Sequence, residues 1–178
     1  MAVGVIASQE SVTQRLKVTG GQRLSGTLTV SGAKNSALVL MTASLLTRET
    51  VELVNVPDLT DIQGMGDILG ALGVQVERSD SRVSLTAEQL TNAEPPYELV
   101  NSLRASFFSI GSLLGRMGHA KVPLPGGCRI GARPVVEHIR GLKALGAVVG
   151  VQHGIVTASA KGTNRRLKGA CLLYTSDA

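Results

Sequence analysis

Three short segments of the chain hold side chains suited to binding or reacting with anions. The first is the motif SGAKN at residues 31–35, which follows the apolar run TLTV and opens a predicted helix. A helix N-terminus presents N–H groups without helical partners and the positive end of the helix dipole, so Lys34 there would complete an anion site. The alternative is an ordinary strand–turn–helix, in which Ser31 or Asn35 caps the helix and Lys34 points to solvent.

The second segment is LPGGCRIGARP at residues 124–134. Its paired glycines predict a loop after a strand, and Pro134 marks the first turn of the helix that follows. Cys128 would then lie near a helix N-terminus with Arg129 and Arg133 close by. Such surroundings lower the pKa of a thiol and suit it to acid–base chemistry. The alternative is that Cys128 is a small, buried apolar residue.

The third segment is NSLRAS at residues 101–106, with Arg104 near the start of a predicted helix over Leu99–Leu114. An arginine on an otherwise apolar helix favours a role in binding an anion or a carboxylate. The alternative is that its side chain extends to solvent from the first turn. The histidines, His119, His138 and His153, are not spaced with the cysteines as metal ligands, so we expect surface or capping roles and no metal.

The composition predicts a globular, anion-binding protein. Of the 178 residues 43% are apolar and 17% are charged, which excludes a wholly disordered chain. With two Phe, two Tyr and no Trp, the core must be built from Val, Leu, Ile and Ala. A net charge of +5 favours anionic partners. Nucleic acid is the weakest of these partners, because the basic residues are scattered and no aromatic platform accompanies them.

The expected compartment is the cytoplasm. Two cysteines, Cys128 and Cys171, form no disulfide framework, which indicates a reducing environment. The longest apolar stretch, Ala37 to Leu46, is far shorter than the about 20 residues of a membrane span, so no membrane partner is expected. The first residues lack the basic and apolar regions of a signal peptide.

An internal repeat organises the chain. The segment ILGALGVQV at 68–76 matches GLKALGAVV at 141–149 with an offset of 73 residues. Upstream, residues 37–48 match 105–116 with an offset of 68, and both contain Ser-Leu-Leu-x-Arg. We therefore expect two copies of one supersecondary unit.

Each copy predicts the order βαβαββ. The first comprises a strand over Thr27–Val30, then Asn35–Leu46 (helix), Val51–Val54 (strand), Asp61–Leu72 (helix) and a hairpin of Val74–Glu77 with Arg82–Thr86. The second comprises Leu99–Leu114 (helix), Lys121–Leu124 (strand), Val135–Leu145 (helix) and a hairpin of Ala147–Val151 with Ile155–Ser159. Gly73 and Gly146 stand where a helix C-cap needs a left-handed residue. The small-residue helices have thin polar faces, so we expect them to be buried.

The three motifs, in this order and spacing, resemble the enolpyruvyl transferase family and, within it, the UDP-N-acetylglucosamine 1-carboxyvinyltransferases. The resemblance covers about Leu16 to Ala170 and is carried by SGAKN, LRAS and PGGCRIGARPV. It implies an inside-out α/β barrel built of βαβαββ repeats, with two of the three repeats of one domain present. It departs from the family where an acidic residue is common and this chain has Val136, and where a tryptophan near Phe108 is replaced.

The resemblance also implies a reaction and its residues. An enolpyruvyl group would pass from phosphoenolpyruvate to the 3'-hydroxyl of UDP-N-acetylglucosamine, with release of phosphate and no cofactor. Cys128 would be the general acid and the thiol alkylated by fosfomycin, while Lys34 and Arg104 would hold phosphoenolpyruvate and Asn35 would position substrate. The uridine diphosphate would bind at the start of the second helix. Its residues would be Arg133, Pro134, Val135, Val136 and Glu137.

The expected domain plan has four parts. Residues 1–26 form an extension, 27–93 the first repeat, 94–162 the second, and 163–178 the start of a third. The resemblance makes the chain a fragment that we expect to be inactive alone, because the cleft would need a further domain. Two alternatives stay open: a nucleotide-sugar binding module without catalysis, and a relative of the shikimate-pathway enolpyruvyl transferase.

Overall fold

The structure of the chain is a computed structural model that describes residues 17, 20, 21, 23, 25–125, 135–161 and 166–169. Its contacts divide the chain into two units, Met1–Val30 and Ser31–Ala178. The predicted strand at Thr27–Val30, in the first unit, is wrong, because these residues join no sheet. A strand needs a neighbour to pair its backbone groups, and no described residue supplies one here.

The described part of the second unit contains helices and strands in the predicted order. The helices are α1 (Lys34–Ala43), α2 (Thr60–Ala71), α3 (Tyr97–Ser102), α4 (Ser109–Met117) and α5 (Val136–Ala144), with 3-10 turns at Ser44–Leu46 and Arg104–Phe108. The strands are β1 (Thr50–Leu53), β2 (Gln75–Ser79), β3 (Arg82–Thr86), β4 (His119–Pro123), β5 (Ala147–Gln152) and β6 (Ile155–Ala160). Among the residues described, no helix is long and apolar enough to cross a membrane.

The two repeats fold in the same way. Each makes a three-stranded antiparallel sheet, in the orders β1-β3-β2 and β4-β6-β5, so the last strand of each repeat lies in the centre. In both repeats a residue shortly after the first strand of the sheet is tied to the hairpin turn, the third residue after β1 and the first after β4. Val56 N–H donates to the Ser81 carbonyl at 2.8 Å, and Leu124 N–H donates to the Gly154 carbonyl at 2.7 Å. The repeat read from the sequence is therefore a repeat of topology and of hydrogen bonding.

Glycine ends the second helix of each repeat, as predicted. Gly73 and Gly146 have φ of +100° and +91°, a conformation that side chains with a Cβ rarely adopt. At Gly73 the fit is also close, because an added Cβ would lie 2.9 Å from the Gln89 carbonyl oxygen. The helix can therefore turn directly into β2 only with glycine at this position.

One apolar core runs through both repeats. It is built mainly from leucine, isoleucine, valine and alanine, as expected, with contributions from Met41, Met65 and Phe107. The expectation that the helices are buried is only partly correct, since Val39 and Leu40 on α1 are 42% and 51% exposed. The opposite face of α1 packs on α2 and on the 3-10 turn at Arg104–Phe108, whereas no described element covers these two residues.

The helix predicted over Leu99–Leu114 is wrong as a single element. It breaks at Leu103, whose extended backbone (φ −131°, ψ 108°) separates α3 from the 3-10 turn and α4. Serine hydroxyls on both sides of the break donate to backbone carbonyls before it, Ser102 to Leu99 at 2.8 Å and Ser106 to Val100 at 3.3 Å. Such bonds offer the backbone an alternative to a regular helix.

An arginine joins the two repeats. Arg116, near the end of α4, donates from Nη2 to the carbonyls of Ala87 (3.0 Å) and Glu88 (3.3 Å) and from Nη1 to that of Leu45 (3.4 Å). Its repeat counterpart, Arg48, is exposed. Identical motif positions thus have different roles, because the guanidinium of Arg116 bonds carbonyls of the other repeat whereas Arg48 stays in solvent.

We expect Arg116→Ala to lower the free energy of unfolding by about 1–3 kcal/mol, since three carbonyls lose a charged donor. Urea denaturation of the chain measures it. Arg48→Ala removes the same charge at the matching position and should change stability by less than about 0.5 kcal/mol. Equal effects of the two substitutions would contradict the bridging role of Arg116.

Candidate functional site

A cavity of about 510 Å³ opens where the two repeats meet. It lies inside the second unit and is lined by parts of α1, α2, the 3-10 turn and α5. Its polar and charged lining residues are Lys34, Asn35, Asp61, Ser102, Arg104 and His138. Two of the three segments singled out from the sequence thus bring cationic side chains to one place, although 69 residues separate Lys34 from Arg104 along the chain. The other segment contributes Pro125 to the lining.

Lys34 and Asn35 occupy the first turn of α1. The N-cap residue is Ala33, in an extended conformation, and neither Ser31 nor Asn35 caps the helix through its side chain. The capping alternative considered from the sequence is thus not what this structure shows. Asn35 instead lines the cavity beside Lys34. The helix start combines a basic side chain with N–H groups that suit an anion.

A close contact between Gly32 and Asn55 fixes the entry to α1. Gly32 N–H donates to Asn55 Oδ1 at 3.1 Å, and a Cβ added to Gly32 would overlap the Asn55 carbonyl oxygen. Asn55 has φ of +56°, a conformation that asparagine tolerates better than most residues. The glycine of the SGAKN motif is therefore required by this approach of two backbones, and the position of Lys34 depends on it.

Lys34 forms an ion pair inside the cavity. Its Nζ lies 2.5 Å from Oδ2 of Asp61, an acidic residue in the first turn of α2. The two side chains are 43% and 39% exposed, so both keep contact with solvent. The cavity thus contains two cations and one carboxylate from three different elements.

Arg104 is the first residue of the 3-10 turn that follows the break at Leu103, and it is half-buried. The expectation that it lies near the start of a continuous helix is corrected by this break. Because the backbone turns at Leu103, Arg104 reaches the cavity lining together with Ser102. The interruption of the helix is therefore part of how the cation is brought to the site.

His138 on α5 closes the cavity against two aromatic rings. Its ring lies edge-on to Phe107, with centroids 5.6 Å apart at 88°, and tilted against Phe108 at 5.8 Å and 50°. Phe107 is buried, whereas Phe108 is 41% exposed at the cavity. These contacts place the start of α5 against the turn that bears Arg104. His138 is exposed, as the sequence predicted, but that prediction did not include its contacts with the two rings at the cavity.

The residues expected to hold the uridine diphosphate are divided by the structure. Val135 is buried and lines the cavity, whereas Val136 and Glu137 are not among its lining residues. Val136 is 60% exposed, and Glu137 pairs with Arg140 at 2.7 Å through exposed side chains. Three further predicted site residues lie outside the described residues. These are Cys128, Arg133 and Pro134.

Sequence reasoning missed Asp61 and His138. A weak signal existed for each, since Asp61 falls in the first turn of a predicted helix and His138 begins the second turn after Pro134. Neither residue stands in a motif with a chemical meaning. Their importance follows from the packing of α1, α2 and α5 around one space.

Comparison with known proteins agrees with this geometry. The family model described as EPSP synthase (3-phosphoshikimate 1-carboxyvinyltransferase) matches residues 18–175. The chain belongs to this family. The resemblance stated from the three motifs is thereby confirmed at the level of the family.

Curated relatives share most of this chain. It is 74% identical over 164 residues to a UDP-N-acetylglucosamine 1-carboxyvinyltransferase of Synechococcus sp. (strain CC9605), covering 92% of this chain and 38% of the relative. It is 72% identical to the protein of the same name from Parasynechococcus marenigrum (strain WH8102), covering 96% and 39%. The chain thus spans about two-fifths of the length of these relatives.

Solved structures share the fold. The enolpyruvyl transferase NikO from Streptomyces tendae superposes with a TM-score of 0.68 at 25% identity, over 84% of this chain and 32% of its own. An EPSP synthase from Acinetobacter baumannii gives 0.54 at 16% identity, over 76% and 32%, which supports the fold alone. The α/β fold predicted from the sequence is that of enolpyruvyl transferases.

We expect Gly32→Ala to lower the free energy of unfolding by about 1–3 kcal/mol, because the new Cβ forces Gly32 and Asn55 apart. The amide signals of residues 33–36 should shift in a nitrogen–proton NMR spectrum as the start of α1 moves. Urea denaturation gives the stability.

Gly70→Ala is the matched control for this substitution. Gly70 is exposed within α2, and a Cβ there meets nothing within 4 Å. It should raise stability by about 0.5–1 kcal/mol, since alanine is the better helix former. A Gly32→Ala chain with unchanged stability and unchanged amide signals would show that the contact with Asn55 does not hold the loop.

Proposed function

We propose that this chain provides part of the active site of a UDP-N-acetylglucosamine 1-carboxyvinyltransferase. In that reaction the 3'-hydroxyl gives its proton to a base as its oxygen bonds to C2 of phosphoenolpyruvate, and a proton adds to C3, giving a tetrahedral ketal. Loss of a proton from C3 and cleavage of the bond between C2 and the phosphate oxygen then release phosphate. The observation that carries the proposal is the meeting of Lys34 and Arg104 in one cavity.

Charge and helix position support a site for phosphoenolpyruvate. Its carboxylate and phosphate are anionic, and the cavity offers the Lys34 ammonium, the Arg104 guanidinium and the first turn of α1. Asn35, beside Lys34, would orient the substrate through its amide. We assign the binding of phosphoenolpyruvate to these three residues.

The remaining assignments extend the proposal to the rest of the reaction. Cys128 would protonate C3 and would be the thiol alkylated by fosfomycin. Arg133, Pro134, Val135, Val136 and Glu137 would hold the uridine diphosphate. Since Val136 and Glu137 are exposed and do not line the cavity, their part in this binding would lie at its outer edge. No cofactor enters the proposed reaction.

The relatives favour UDP-N-acetylglucosamine over shikimate 3-phosphate as the acceptor of the enolpyruvyl group. The two curated relatives compared above are 72–74% identical to the chain and carry the UDP-N-acetylglucosamine name, whereas the solved EPSP synthase is 16% identical. The reaction would then be the first committed step of peptidoglycan synthesis, carried out in the cytoplasm. We also propose that the complete protein forms the inside-out barrel of three βαβαββ units in each of two domains.

Binding of phosphoenolpyruvate tests the cavity directly. Lys34→Ala and Arg104→Ala should each raise the dissociation constant about tenfold or more, because each removes a charged donor to an anion. Isothermal titration of the folded chain, with UDP-N-acetylglucosamine present, measures it. Lys143→Ala removes a charge from the exposed side of α5 and should leave the constant unchanged. Equal losses in all three variants would indicate only a general effect of net charge.

Fosfomycin tests the assignment of Cys128. We expect the intact mass of the chain to increase by one fosfomycin adduct, and peptide mapping to place that adduct on Cys128. Cys128→Ser should abolish the adduct, whereas Cys171→Ser should leave it in place. An adduct on Cys171, or none on a folded chain that binds UDP-N-acetylglucosamine, would contradict the assignment.

Assays of phosphate release and of ligand binding distinguish the proposed reaction from the two alternatives, the nucleotide-sugar binding module and the shikimate-pathway relative. Release from phosphoenolpyruvate with UDP-N-acetylglucosamine, but not with shikimate 3-phosphate, would support the proposed reaction. Binding of UDP-N-acetylglucosamine without an adduct and without release would favour the nucleotide-sugar module. Binding of shikimate 3-phosphate instead would favour the shikimate-pathway relative.

A further inference from the structure

The ion pair between Lys34 and Asp61 connects two helix starts at the cavity. Lys34 is the first residue of α1, and Asp61 is the second residue of α2. Nζ of Lys34 lies 2.5 Å from Oδ2 of Asp61, and both residues line the cavity. The carboxylate therefore meets the cation at the place where an anionic ligand would bind.

The pair contributes little to folding stability. Both side chains are about 40% exposed, and solvent-exposed ion pairs contribute little to stability. A lysine side chain, by contrast, loses much rotamer freedom when it is held in place. The main consequence of the pair is thus geometric: it restricts where the ammonium can lie.

The ammonium can serve a ligand while it stays paired. A lysine Nζ has three N–H donors, so one hydrogen bond to Asp61 leaves two directions for ligand oxygens. An ammonium already held at the cavity wall does not have to be ordered when the ligand arrives, which favours binding. The same carboxylate also repels the ligand, and this repulsion opposes the first effect.

We propose that Asp61 is a positioning residue that holds the Lys34 ammonium at the cavity for the anionic group of the substrate. This inference rests on the proposed function, in which Lys34 binds phosphoenolpyruvate. Asp61 acts through Lys34 and need not touch the substrate. Its benefit from ordering the ammonium exceeds its cost in repulsion.

Two substitutions separate ordering from charge. Asp61→Ala removes both the hydrogen-bond acceptor and the charge, whereas Asp61→Asn keeps an acceptor oxygen and removes the charge alone. Asp58→Asn is the matched control. Asp58 lies in the loop just before α2 and pairs with Arg78 at 2.8 Å, but it does not line the cavity.

The first measurement needs no ligand. Carbon-13 relaxation of the lysine Cε groups in the folded chain reports how ordered each ammonium is, and Lys34→Arg assigns the Lys34 signal. We expect an ordered Lys34 in the wild type and in Asp58→Asn, a disordered one in Asp61→Ala and an intermediate one in Asp61→Asn. A Lys34 that is mobile in the wild type, or unchanged by Asp61→Ala, would overturn the proposal.

The second measurement is a titration with phosphoenolpyruvate. Asp61→Ala should raise the dissociation constant about three- to tenfold, and Asp61→Asn should stay within about twofold of the wild type. In a Lys34→Ala background Asp61→Ala should have no further effect beyond about twofold. Tighter binding of phosphoenolpyruvate in both Asp61 variants would mean that the carboxylate only competes with the ligand for Lys34, and it would overturn the proposal. The proposal would also be overturned if Asp61→Ala weakened binding equally in the Lys34→Ala background.

The two measurements keep the inference and the proposed function apart. Suppose that Lys34 is ordered in the wild type and becomes disordered in Asp61→Ala, but that its signal does not change when phosphoenolpyruvate is added. The first result would support the positioning of Lys34 by Asp61, and the second would contradict phosphoenolpyruvate as the ligand.

Discussion

The apolar core shared by the two repeats is the constraint on which the rest of the structure depends. Each repeat alone has a three-stranded sheet and a few short helices, too little to bury its own apolar faces well. Packing α1 against α2 and against the turn at Arg104–Phe108 makes one continuous core. The cavity lies at this junction, so the distance between its two cations is set by the packing of one repeat on the other.

Polar contacts fix the positions of individual segments within the packing that the core establishes. The Arg116 guanidinium bonds carbonyls of the other repeat, and the contact of Gly32 with Asn55 orients the start of α1. Each of these contacts joins a side chain to backbone of a distant segment, so each depends on the identity of one residue.

The sequence predicted the elements well where periodicity and turn chemistry agreed. The repeat offsets, the two helix-ending glycines and the paired hairpins are all present in the structure. It failed at Thr27–Val30, whose alternating apolar residues suit a strand but find no partner among the described residues. It failed again at Leu103, where serine hydroxyls bond to backbone carbonyls before the break. Both failures concern bonds that periodicity does not encode.

The sequence by itself determined the repeat, the α/β class, and the choice of Lys34 and Arg104 as candidate anion-binding residues. These are properties of local pattern and residue type, which a single chain displays directly, whereas a substrate role for Asn35 came from the family resemblance. Only the tertiary structure decided that Asp61 and His138 line the same cavity and that Val136 and Glu137 do not. The physical reason is that side chains from α1, α2 and α5 share one space only after the core has formed, and no local pattern specifies which faces of separate helices will meet.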